Sequence, residues 1–466
     1  MAQKIRTCPA PDTRGTGKEC REGAKTVIAK EETTHAEPDF SGITLERILS
    51  PSNLLLALKQ VESNKGAPGV DGMRTEELRD YIVSHPGELT SAVREGRYRP
   101  SPVKRVTIPK PEKGKYRDLG IPTVLDRLVQ QAVAQVLGMR YDLTFSDSSC
   151  GFRPNRGASD AILRCVGHAD AGFKWAVDID LAKFFDTVNH SRLIRKLSAR
   201  IKDRRVISLI HRMLKSGIDT GTEVIRPEVG LMQGGPLSPL LANIYLDELD
   251  KELEARHHRF VRYADDLIIL CRSRRAAERT LERTSRFLEG RMLLKVNQDK
   301  SGVSFIARGV KFLGFGFRIR AKDRRTLPTV HAKSKARFKQ AVKSLLSRSP
   351  KKRLEAVKED LRQKLTGWGA YFRLANLSTW MKQIDEWMRR RIRQLLWKTW
   401  KKVRTRYKAL RRLGCPHPVA LRWANTRKSY WRVANSQILA TTLSNDFLKS
   451  HGWCWLSLVC KPVEWK

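Results

Sequence analysis

The stretch that decides the fold is a short acidic turn between two apolar runs. Tyr263-Ala264-Asp265-Asp266 stands between Arg259-Phe260-Val261-Arg262 and Leu267-Ile268-Ile269-Leu270, which predicts a tight β-hairpin with two carboxylates at its tip. Neighbouring side chains on a regular strand point to opposite faces, so the bend must direct Asp265 toward a site while Asp266 supports it. A buried acidic pair is costly without a cation, and the pattern therefore indicates a metal site. An ordinary Asp-rich turn is the alternative.

A second acidic cluster lies upstream. Trp175-Ala176-Val177-Asp178-Ile179-Asp180-Leu181-Ala182-Lys183-Phe184-Phe185-Asp186 begins with an apolar, alternating run and predicts a strand that leads into a helix. If this strand lies beside the hairpin, Asp180 and Asp265 can share two divalent ions about 3.5–4 Å apart, which activate an attacking hydroxyl and stabilise a leaving phosphate. Oxygen ligands favour Mg²⁺. Asp178 is the alternative upstream ligand.

The order of these motifs resembles the palm of a reverse transcriptase. Gln233-Gly234-Gly235-Pro236-Leu237-Ser238-Pro239 stands between the acidic strand and the hairpin, as in that family. Over roughly residues 50–450 the chain further resembles the reverse transcriptases encoded by group II introns. Residues 366–372 resemble the start of the maturase, or X, domain of that family. The blocks that carry this resemblance are Lys65-Gly66-Ala67-Pro68-Gly69-Val70-Asp71-Gly72, Ile108-Pro109-Lys110-Pro111, Arg117-Asp118-Leu119-Gly120-Ile121-Pro122, Ser149-Cys150-Gly151-Phe152-Arg153-Pro154, Leu294-Lys295-Val296-Asn297-Gln298-Asp299-Lys300-Ser301, Val310-Lys311-Phe312-Leu313-Gly314-Phe315 and Thr366-Gly367-Trp368-Gly369-Ala370-Tyr371-Phe372.

The resemblance implies an RNA-directed DNA polymerase, a reaction that needs no covalent nucleophile. Asp180, Asp265 and Asp266 would be its catalytic and metal-binding residues, holding two Mg²⁺ ions with Mn²⁺ as a substitute. The family's register places the upstream ligand five residues before an aromatic that gates the ribose, which selects Asp180 and Phe185. A core aromatic is the alternative for Phe185, because Phe184 beside it must take the other role.

Further residues are implied to bind the deoxynucleoside triphosphate. Lys110 and Arg117 in a predicted fingers hairpin would clamp its phosphates, Arg by a bidentate fork and Lys as a point charge; a surface charge pair is the alternative. Gln233, followed by Gly234 and Gly235 that permit close backbone approach, would line the nucleotide pocket unless it forms a simple turn. The remaining implied roles are a proton donor to pyrophosphate, Lys300, and supports for primer and template, Tyr263, Phe312, Leu313 and Gly314.

The charge balance predicts a polyanionic partner. The chain of 466 residues carries 91 Lys and Arg against 48 Asp and Glu, a net charge of +43, which is typical of nucleic-acid binding. Residues 331–466 alone hold 33 Lys and Arg, 7 Asp and Glu and 10 of the 11 Trp. The last third of the chain is therefore predicted to be a second binding surface, with a solvated charged face as the alternative.

One long helix is predicted in this last third. Trp380, Ile384, Trp387, Met388 and Leu395 follow helical spacing and form an apolar stripe. They are predicted to be mostly core, with stacking of an exposed Trp on unpaired bases as the alternative. Gly414 and Pro416 are predicted to end the helical region. The residues predicted to form a basic face are Arg389, Arg390, Arg391, Arg393, Lys398, Lys401, Lys402, Arg404 and Arg406.

Several classes of protein are excluded or disfavoured. No stretch approaches the about 18 apolar residues of a membrane span, and the first forty residues form no signal peptide. The eight cysteines include no Cys-x-x-Cys pair, which favours a reducing cytosol over a disulfide or zinc scaffold. Many relatives end in a His-Asn-His endonuclease domain with paired cysteines, and this chain departs from that pattern. We therefore expect no second-strand cleavage. The absence of an Arg-rich, acid-poor leader favours a cytoplasmic, nucleoid-associated ribonucleoprotein of bacteria, with an organelle as the alternative that the chemistry fits equally.

The predicted fold is α+β: a right-hand polymerase whose fingers and palm contain an antiparallel sheet, followed by an α-helical thumb. The expected divisions are a flexible arm at 1–45, fingers and palm at 46–325, a thumb or X domain at 326–430 and a basic, Trp-containing nucleic-acid-binding tail at 431–466. The expected partners are group II intron RNA, a DNA target that supplies the primer, and deoxynucleoside triphosphates, without a membrane; whether the chain forms a dimer is open. The alternatives are a related bacterial enzyme recruited for defence or repair, and an RNA-binding splicing factor without polymerase activity.

Overall fold

A computed structural model describes residues 39–109, 114, 116–347 and 352–465 of the chain. Helices and strands are interspersed up to residue 330, and helices without strands follow in the described residues beyond it. The strands are β1 (Val103–Pro109), β2 (Tyr116–Ile121), β3 (Trp175–Asp180), β4 (Ile218–Asp219), β5 (Val224–Ile225), β6 (Arg259–Tyr263), β7 (Asp266–Cys271), β8 (Gly302–Phe305), β9 (Phe315–Ile319) and β10 (Thr326–Val330). The helices up to residue 330 are α1 (Leu45–Ile48), α2 (Pro51–Ser63), α3 (Leu78–Ser84), α4 (Glu88–Arg94), α5 (Val124–Tyr141), α6 (Ala158–Asp170), α7 (Phe184–Thr187), α8 (His190–Ser198), α9 (Arg204–Leu214), α10 (Ser238–Ala255) and α11 (Arg274–Arg286). The later helices are α12 (Ala332–Leu345), α13 (Leu354–Tyr371), α14 (Ser378–Thr399), α15 (Val403–Arg412), α16 (His417–Ala424), α17 (Tyr430–Val433), α18 (Gln437–Thr442), α19 (Asn445–Ser450) and α20 (Leu456–Val459).

The palm is a four-stranded antiparallel sheet in the order β6-β7-β3-β8. The predicted hairpin of β6 and β7 is present, and the predicted acidic strand β3 lies directly beside it. Its register places Asp180 opposite Asp266 and Asp178 opposite Ile268. Since paired residues of an antiparallel sheet share a face, Asp178, Asp180 and Asp266 lie on one side of the palm.

Both faces of the palm sheet are covered by apolar side chains. Val177, Ile179 and Leu267 face a core formed with the helices of the fingers and palm, such as α5 and α10. Ala176 and Ile268 face a second core that continues into the later helices. Strands buried on both sides read as nearly continuous apolar runs, which explains the composition of the segments that flank the acidic turn.

The fingers contain the second predicted hairpin. Strands β1 and β2 pair antiparallel, with Ile108 opposite Arg117. The sheet continues in the order β2-β1-β4-β5, and β1 pairs with the two-residue strand β4 in parallel. The predicted α+β fold is therefore present, with one short parallel pairing added to the antiparallel sheet that was expected in the fingers.

The long helix of the last third is confirmed in α14. Met381, Ile384, Met388, Ile392 and Leu395 are buried along one face of this helix. Trp380 and Trp387 pack against the same core but remain partly accessible. The stripe is mainly core because the helix lies between α12, α17 and α20.

The expected division into arm, fingers and palm, thumb and tail stays a prediction, and its boundaries fall at the following elements. Residue 45 begins α1, residues 325 and 326 stand at the start of β10, which pairs with β9, and residue 430 begins α17. The predicted end of the helical run at Gly414 and Pro416 is confirmed, because α15 ends at Arg412 and Gly414 has a φ of 81°, although five further helices follow in the described residues. Trp453 and Trp455 of the expected tail are buried in the second core. The segment that follows them is attached to α14, because Asp385 accepts hydrogen bonds from the backbone of Leu456 and Ser457. Residues 1–38 of the expected arm lie outside the described residues.

None of the helices in the described part of the chain is long and apolar enough to cross a membrane.

Candidate active site

The palm hairpin places two carboxylates beside the end of β3. Strand β6 ends at Tyr263 and β7 begins at Asp266, which leaves Ala264 and Asp265 as the turn. Ala264 has a φ of 57°, a left-handed backbone that is uncommon for a residue with a Cβ. Asp180, the last residue of β3, lies opposite Asp266. The structure therefore places the three aspartates that the sequence singled out at neighbouring positions of the palm sheet and its turn.

Burial, and after it the charges of neighbouring aspartates, raises the pKa of three carboxylates at this site. Burial, with a further contribution from the charge of Asp180, raises the pKa of Asp265. Desolvation and the charges of Asp265 and Asp180 raise the pKa of Asp266 to about 6. The pKa of Asp178 also rises to about 6, through burial and the charges of Asp266 and Asp180. Like charges gathered in a partly desolvated cleft resist ionisation, and a bound cation would relieve that cost.

Residues 294–301 hold the end of β3 in place. The backbone N–H of Asn297 donates to the carbonyl of Asp180 at 2.8 Å, and the backbone N–H of Asp180 donates to Ser301 Oγ at 3.0 Å. Asn297 Nδ2 and Lys300 Nζ both donate to Asp180 Oδ2, at 3.0 and 3.2 Å. The predicted proton donor Lys300 thus lies at the site, in an ion pair with Asp180.

The donor chemistry of the site fits a divalent cation, although the side chains are not gathered around one. Within residues 39–109, 114, 116–347 and 352–465, no three His, Cys, Asp or Glu side chains lie close enough together to hold a metal ion as they stand. Asp180, Asp265 and Asp266 nevertheless supply the hard oxygen donors that Mg²⁺ prefers. Burial, together with the charges of neighbouring aspartates, raises the pKa of Asp265 and of Asp266, and a cation would offset the cost of ionising these two groups.

A cavity of about 230 Å³ lies between the palm and the fingers hairpin. Phe185 and Gln233 both line it, so the structure brings the predicted ribose gate and the predicted nucleotide-pocket residue together. Phe184 is 2% exposed and belongs to the core, which leaves Phe185 as the member of the pair at the cavity. Gly234, with a φ of 127°, passes so close to the fingers that a Cβ there would lie 2.3 Å from the carbonyl oxygen of Gly120.

The fingers hairpin contributes charged side chains to this region. Arg117 is exposed, and its charge acts to lower the pKa of Asp265 against the effect of burial. Lys110, the other predicted phosphate ligand, lies outside the described residues. Arg105 and Asp118 form an ion pair and line the cavity, and the sequence prediction missed both. The alternation of side chains along β1 and β2 could have indicated that these two residues share a face, but only once the register of the two strands was known.

A groove of about 420 Å³ runs from Asp266 to α13. Leu313 and Gly314, which were predicted to support the primer, line it at φ values of 50° and 80°, and Tyr371 Oη donates to the carbonyl of Leu313 at 2.9 Å. Phe312 is buried beneath them, and Tyr263 packs against the same core. The basic residues that line the groove, and that sequence reasoning did not single out, are Lys311, Arg337 and Lys364.

Two families match successive parts of the chain. Residues 108–317 match the family described as reverse transcriptase (RNA-dependent DNA polymerase). Residues 335–414 match the group II intron, maturase-specific domain. The first match contains the palm sheet and the three aspartates, and the second contains α13 and α14; neither describes an endonuclease.

Individual proteins and a solved structure are also similar to this chain. Protein YkfC of Escherichia coli is 32% identical over 65% of this chain and 90% of its own length. The group II intron-encoded protein LtrA of Lactococcus lactis is 29% identical over 59% of this chain, and the chain spans only 56% of that protein. Among solved structures, a partial Cas6-RT-Cas1–Cas2 complex matches 53% of this chain and 42% of its own at 26% identity, with a TM-score of 0.35. On the two family matches and the similarity to YkfC, this chain belongs to the reverse transcriptases that carry a group II intron maturase-specific domain.

Proposed function

We propose that this protein copies group II intron RNA into DNA from a primer provided by a cleaved DNA target, and that it binds the same RNA as a maturase. As a member of its family it is an RNA-directed DNA polymerase. The observation that carries the proposal is the register of the palm sheet, which sets Asp180 opposite Asp266 with Asp265 in the adjoining turn. In bacteria we expect it to act as a cytoplasmic ribonucleoprotein associated with the nucleoid.

The aspartates would hold two divalent ions, Mg²⁺ or in its place Mn²⁺. When bound, such ions lower the pKa of the primer 3′-hydroxyl and stabilise the charge of the triphosphate. Asp180 and Asp265 are the proposed direct ligands, with Asp266 beside them. Lys300, which already contacts Asp180 at 3.2 Å, is the proposed proton donor to the departing pyrophosphate.

The fingers and palm would position the substrates. Arg117, with Lys110, is proposed to bind the phosphates of the incoming nucleotide, while Phe185 and Gln233 contact its sugar and base in the cavity that they line. The groove beside Asp266 is open at the palm and lined by Lys311, Arg337 and Lys364. Its position supports the role of Phe312-Leu313-Gly314 and Tyr263 as supports for the primer.

The maturase-specific domain would contact the intron RNA mainly through its cations. Arg390 lies over the ring of Trp431, with its guanidinium 3.8 Å from the ring centroid, and Lys339 lies over Trp387 at 5.2 Å. A cation of the protein itself occupies one face of each ring, so we propose phosphate contacts by the Lys and Arg side chains rather than stacking of bases on each Trp. Affinity should then fall steeply with salt.

Primer extension on an RNA template with Mg²⁺ tests the proposal. Extension is measured for wild type, for Asp265→Ala and for the matched control Asp299→Ala, which removes an exposed carboxylate nearby. Splicing of the flanking RNA is measured for the same three proteins. We expect Asp265→Ala to lose extension and to retain splicing, and Asp299→Ala to retain both. Wild type that fails to extend the primer would overturn the polymerase assignment for this chain. Splicing unaffected by the protein would overturn the maturase assignment.

A further inference from the structure

A charged side chain is buried directly behind the catalytic turn. Arg262 of β6 is 1% exposed, and its partner Asp250 of α10 is fully buried. Arg262 Nε donates to Asp250 Oδ1 at 2.7 Å, and Nη2 donates to the second carboxylate oxygen. No role was assigned above to either member of this pair.

The remaining guanidinium hydrogens reach the turn itself. Arg262 Nη1 donates to the backbone carbonyl of Ala264 at 3.0 Å and to Asn243 Oδ1 at 3.0 Å. Ala264 is the residue with the left-handed φ of 57°, and it immediately precedes Asp265. The peptide that leads into the proposed metal ligand is therefore held by a side chain that is itself fixed to α10.

A second connection closes the network from the other side. Asn243 Nδ2 donates to the carbonyl of Gly151 at 2.9 Å. Gly151 lies against the turn so closely that a Cβ there would be 2.3 Å from the backbone nitrogen of Ala264. The backbone of Arg262 also exchanges hydrogen bonds with the same loop, to Ser148 and from Cys150, each at 2.9 Å. The turn is thus enclosed by α10, by the loop and by its own strand.

We propose that Arg262 is a positioning residue, which together with Asp250 and Asn243 fixes the turn that presents Asp265 to the metal ions. The inference rests on the proposed metal-binding role of Asp265. A carboxylate that must meet a metal ion has to be held to within about 0.5 Å. The planar fork of an arginine can bind both oxygens of a carboxylate on one side and a backbone carbonyl on another, an arrangement that the single ammonium nitrogen of a lysine cannot reproduce. Outer partners of this kind are typically worth about 10–100-fold in metal affinity or activity.

A purely structural role is the competing explanation, and it makes different predictions. Removing one member of a buried ion pair destabilises a protein strongly, whereas replacing both members by apolar residues is often neutral or stabilising. The double substitution Arg262→Met with Asp250→Leu therefore removes the hydrogen bond to Ala264 without leaving an unpaired buried charge. Arg262→Lys keeps a charge opposite Asp250 but cannot also reach both Ala264 and Asn243.

Metal binding is measured separately from catalysis. Mn²⁺ alone is titrated into wild type, Asp265→Ala, Arg262→Met/Asp250→Leu and Arg262→Lys by calorimetry, and the Mg²⁺ dependence of primer extension is then determined. For both Arg262 variants we expect about 10–100-fold weaker metal binding or turnover, with unchanged affinity for a template–primer duplex in EDTA. The control is Arg192→Met, which removes one of the cations around Glu248 of the same helix α10, away from the turn, and leaves Glu248 paired with Lys196.

The outcomes separate the two proposals. Metal binding that is equal in wild type and Asp265→Ala would overturn the metal-binding role of Asp265 itself. If Asp265→Ala loses metal binding while both Arg262 variants keep the metal affinity and turnover of wild type, Arg262 does not position the turn. If the double variant does not fold, Arg262→Lys decides: full metal affinity and turnover with lysine would show that only the charge opposite Asp250 matters.

Discussion

Two β-hairpins of this chain differ in almost every physical respect. The palm hairpin of β6 and β7 is buried along nearly all of its length, and Arg262 inside it is paired. The fingers hairpin of β1 and β2 has one buried residue in each strand and exposes most of the others. A buried hairpin can hold carboxylates in fixed positions, whereas an exposed one can present charged side chains to a polyanion. We infer that the palm hairpin holds the catalytic carboxylates in position, whereas the fingers hairpin contacts the charged substrate.

The largest expected effect is on the stability of the palm hairpin. Phe260→Ala should lower the free energy of unfolding by about 3–5 kcal/mol, because Phe260 is 1% exposed and its removal leaves a cavity. Ile108→Ala on the fingers hairpin, where Ile108 is 43% exposed, should change it by less than about 0.5 kcal/mol. Denaturant unfolding of both variants measures the contrast. Equal losses would show that the two hairpins are equally integrated in the core.

The next effect concerns the space around the catalytic turn. Gly151→Ala would place a Cβ 2.3 Å from the backbone nitrogen of Ala264, so the turn must shift, and a displacement of about 1 Å can cost about 100-fold in rate. Gly167→Ala in α6 is the matched control, since its Cβ meets nothing within 4 Å. It should retain activity and gain up to about 1 kcal/mol of stability from helix propensity. Turnover in primer extension distinguishes them, and full activity of Gly151→Ala would show that the turn tolerates displacement.

A smaller effect is expected at the fingers. Arg117→Ala should raise the KM for deoxynucleoside triphosphates by about tenfold, the equivalent of one charge-assisted contact of about 1.4 kcal/mol, without lowering stability. Arg94→Ala at the exposed end of α4 removes the same charge elsewhere and should leave that KM unchanged. Steady-state extension with varied nucleotide concentration measures both. An equal rise in the two variants would indicate general attraction of anions instead of a specific contact.

The smallest effect concerns how ionisation of a carboxylate changes stability, which should have opposite signs in the palm sheet and in the fingers hairpin. The native pKa of Asp178 is about 6, above the ordinary value near 4. In metal-free protein its ionisation therefore costs stability, a cost that develops as the pH rises from about 4 to about 6 and is complete above it. Asp178→Asn should raise the melting temperature in EDTA at pH 7.5 and leave it unchanged near pH 4.

Asp118 on the fingers should behave in the opposite way. Hydrogen bonds from Arg105 and Thr107 lower its pKa, so it adds stability that is present above pH 4 and is lost as the pH falls through its native pKa. Asp118→Asn should therefore lower the melting temperature slightly at pH 7.5. The effect is small because both partners are largely exposed. The same sign for Asp118→Asn and Asp178→Asn would contradict the electrostatic difference between the two regions.

Much of the site could be predicted because it lies in local patterns. The hairpin, the strand before Phe184 and the fingers hairpin each follow from apolar runs and turn residues a few positions apart. Arg262, Asp250 and Asn243 could not be predicted, because they lie in different elements and act only once α10 packs behind β6. Arg105 and Asp118 were missed for the same reason, since their pairing depends on the register of β1 and β2.

Residues 431–466 show where composition alone gives an incomplete prediction. Its Trp and basic content predicted a nucleic-acid-binding tail, yet Trp453 and Trp455 are core residues. Composition reports how many aromatic and charged side chains are present, but burial depends on which surfaces meet. The Asp385 side chain that caps α20 lies on α14, far away in sequence.

The sequence by itself determined the identities and order of the three aspartates, the strands that carry them and the positive charge of the chain, because strand period and turn chemistry act over a few residues. Only the tertiary structure decided that Asp178, Asp180 and Asp266 share one face, that Phe185 and not Phe184 lines the cavity, and that a buried arginine holds the turn before Asp265. These facts depend on strand register and on contacts between distant elements, which form only when the apolar faces of those elements are buried together.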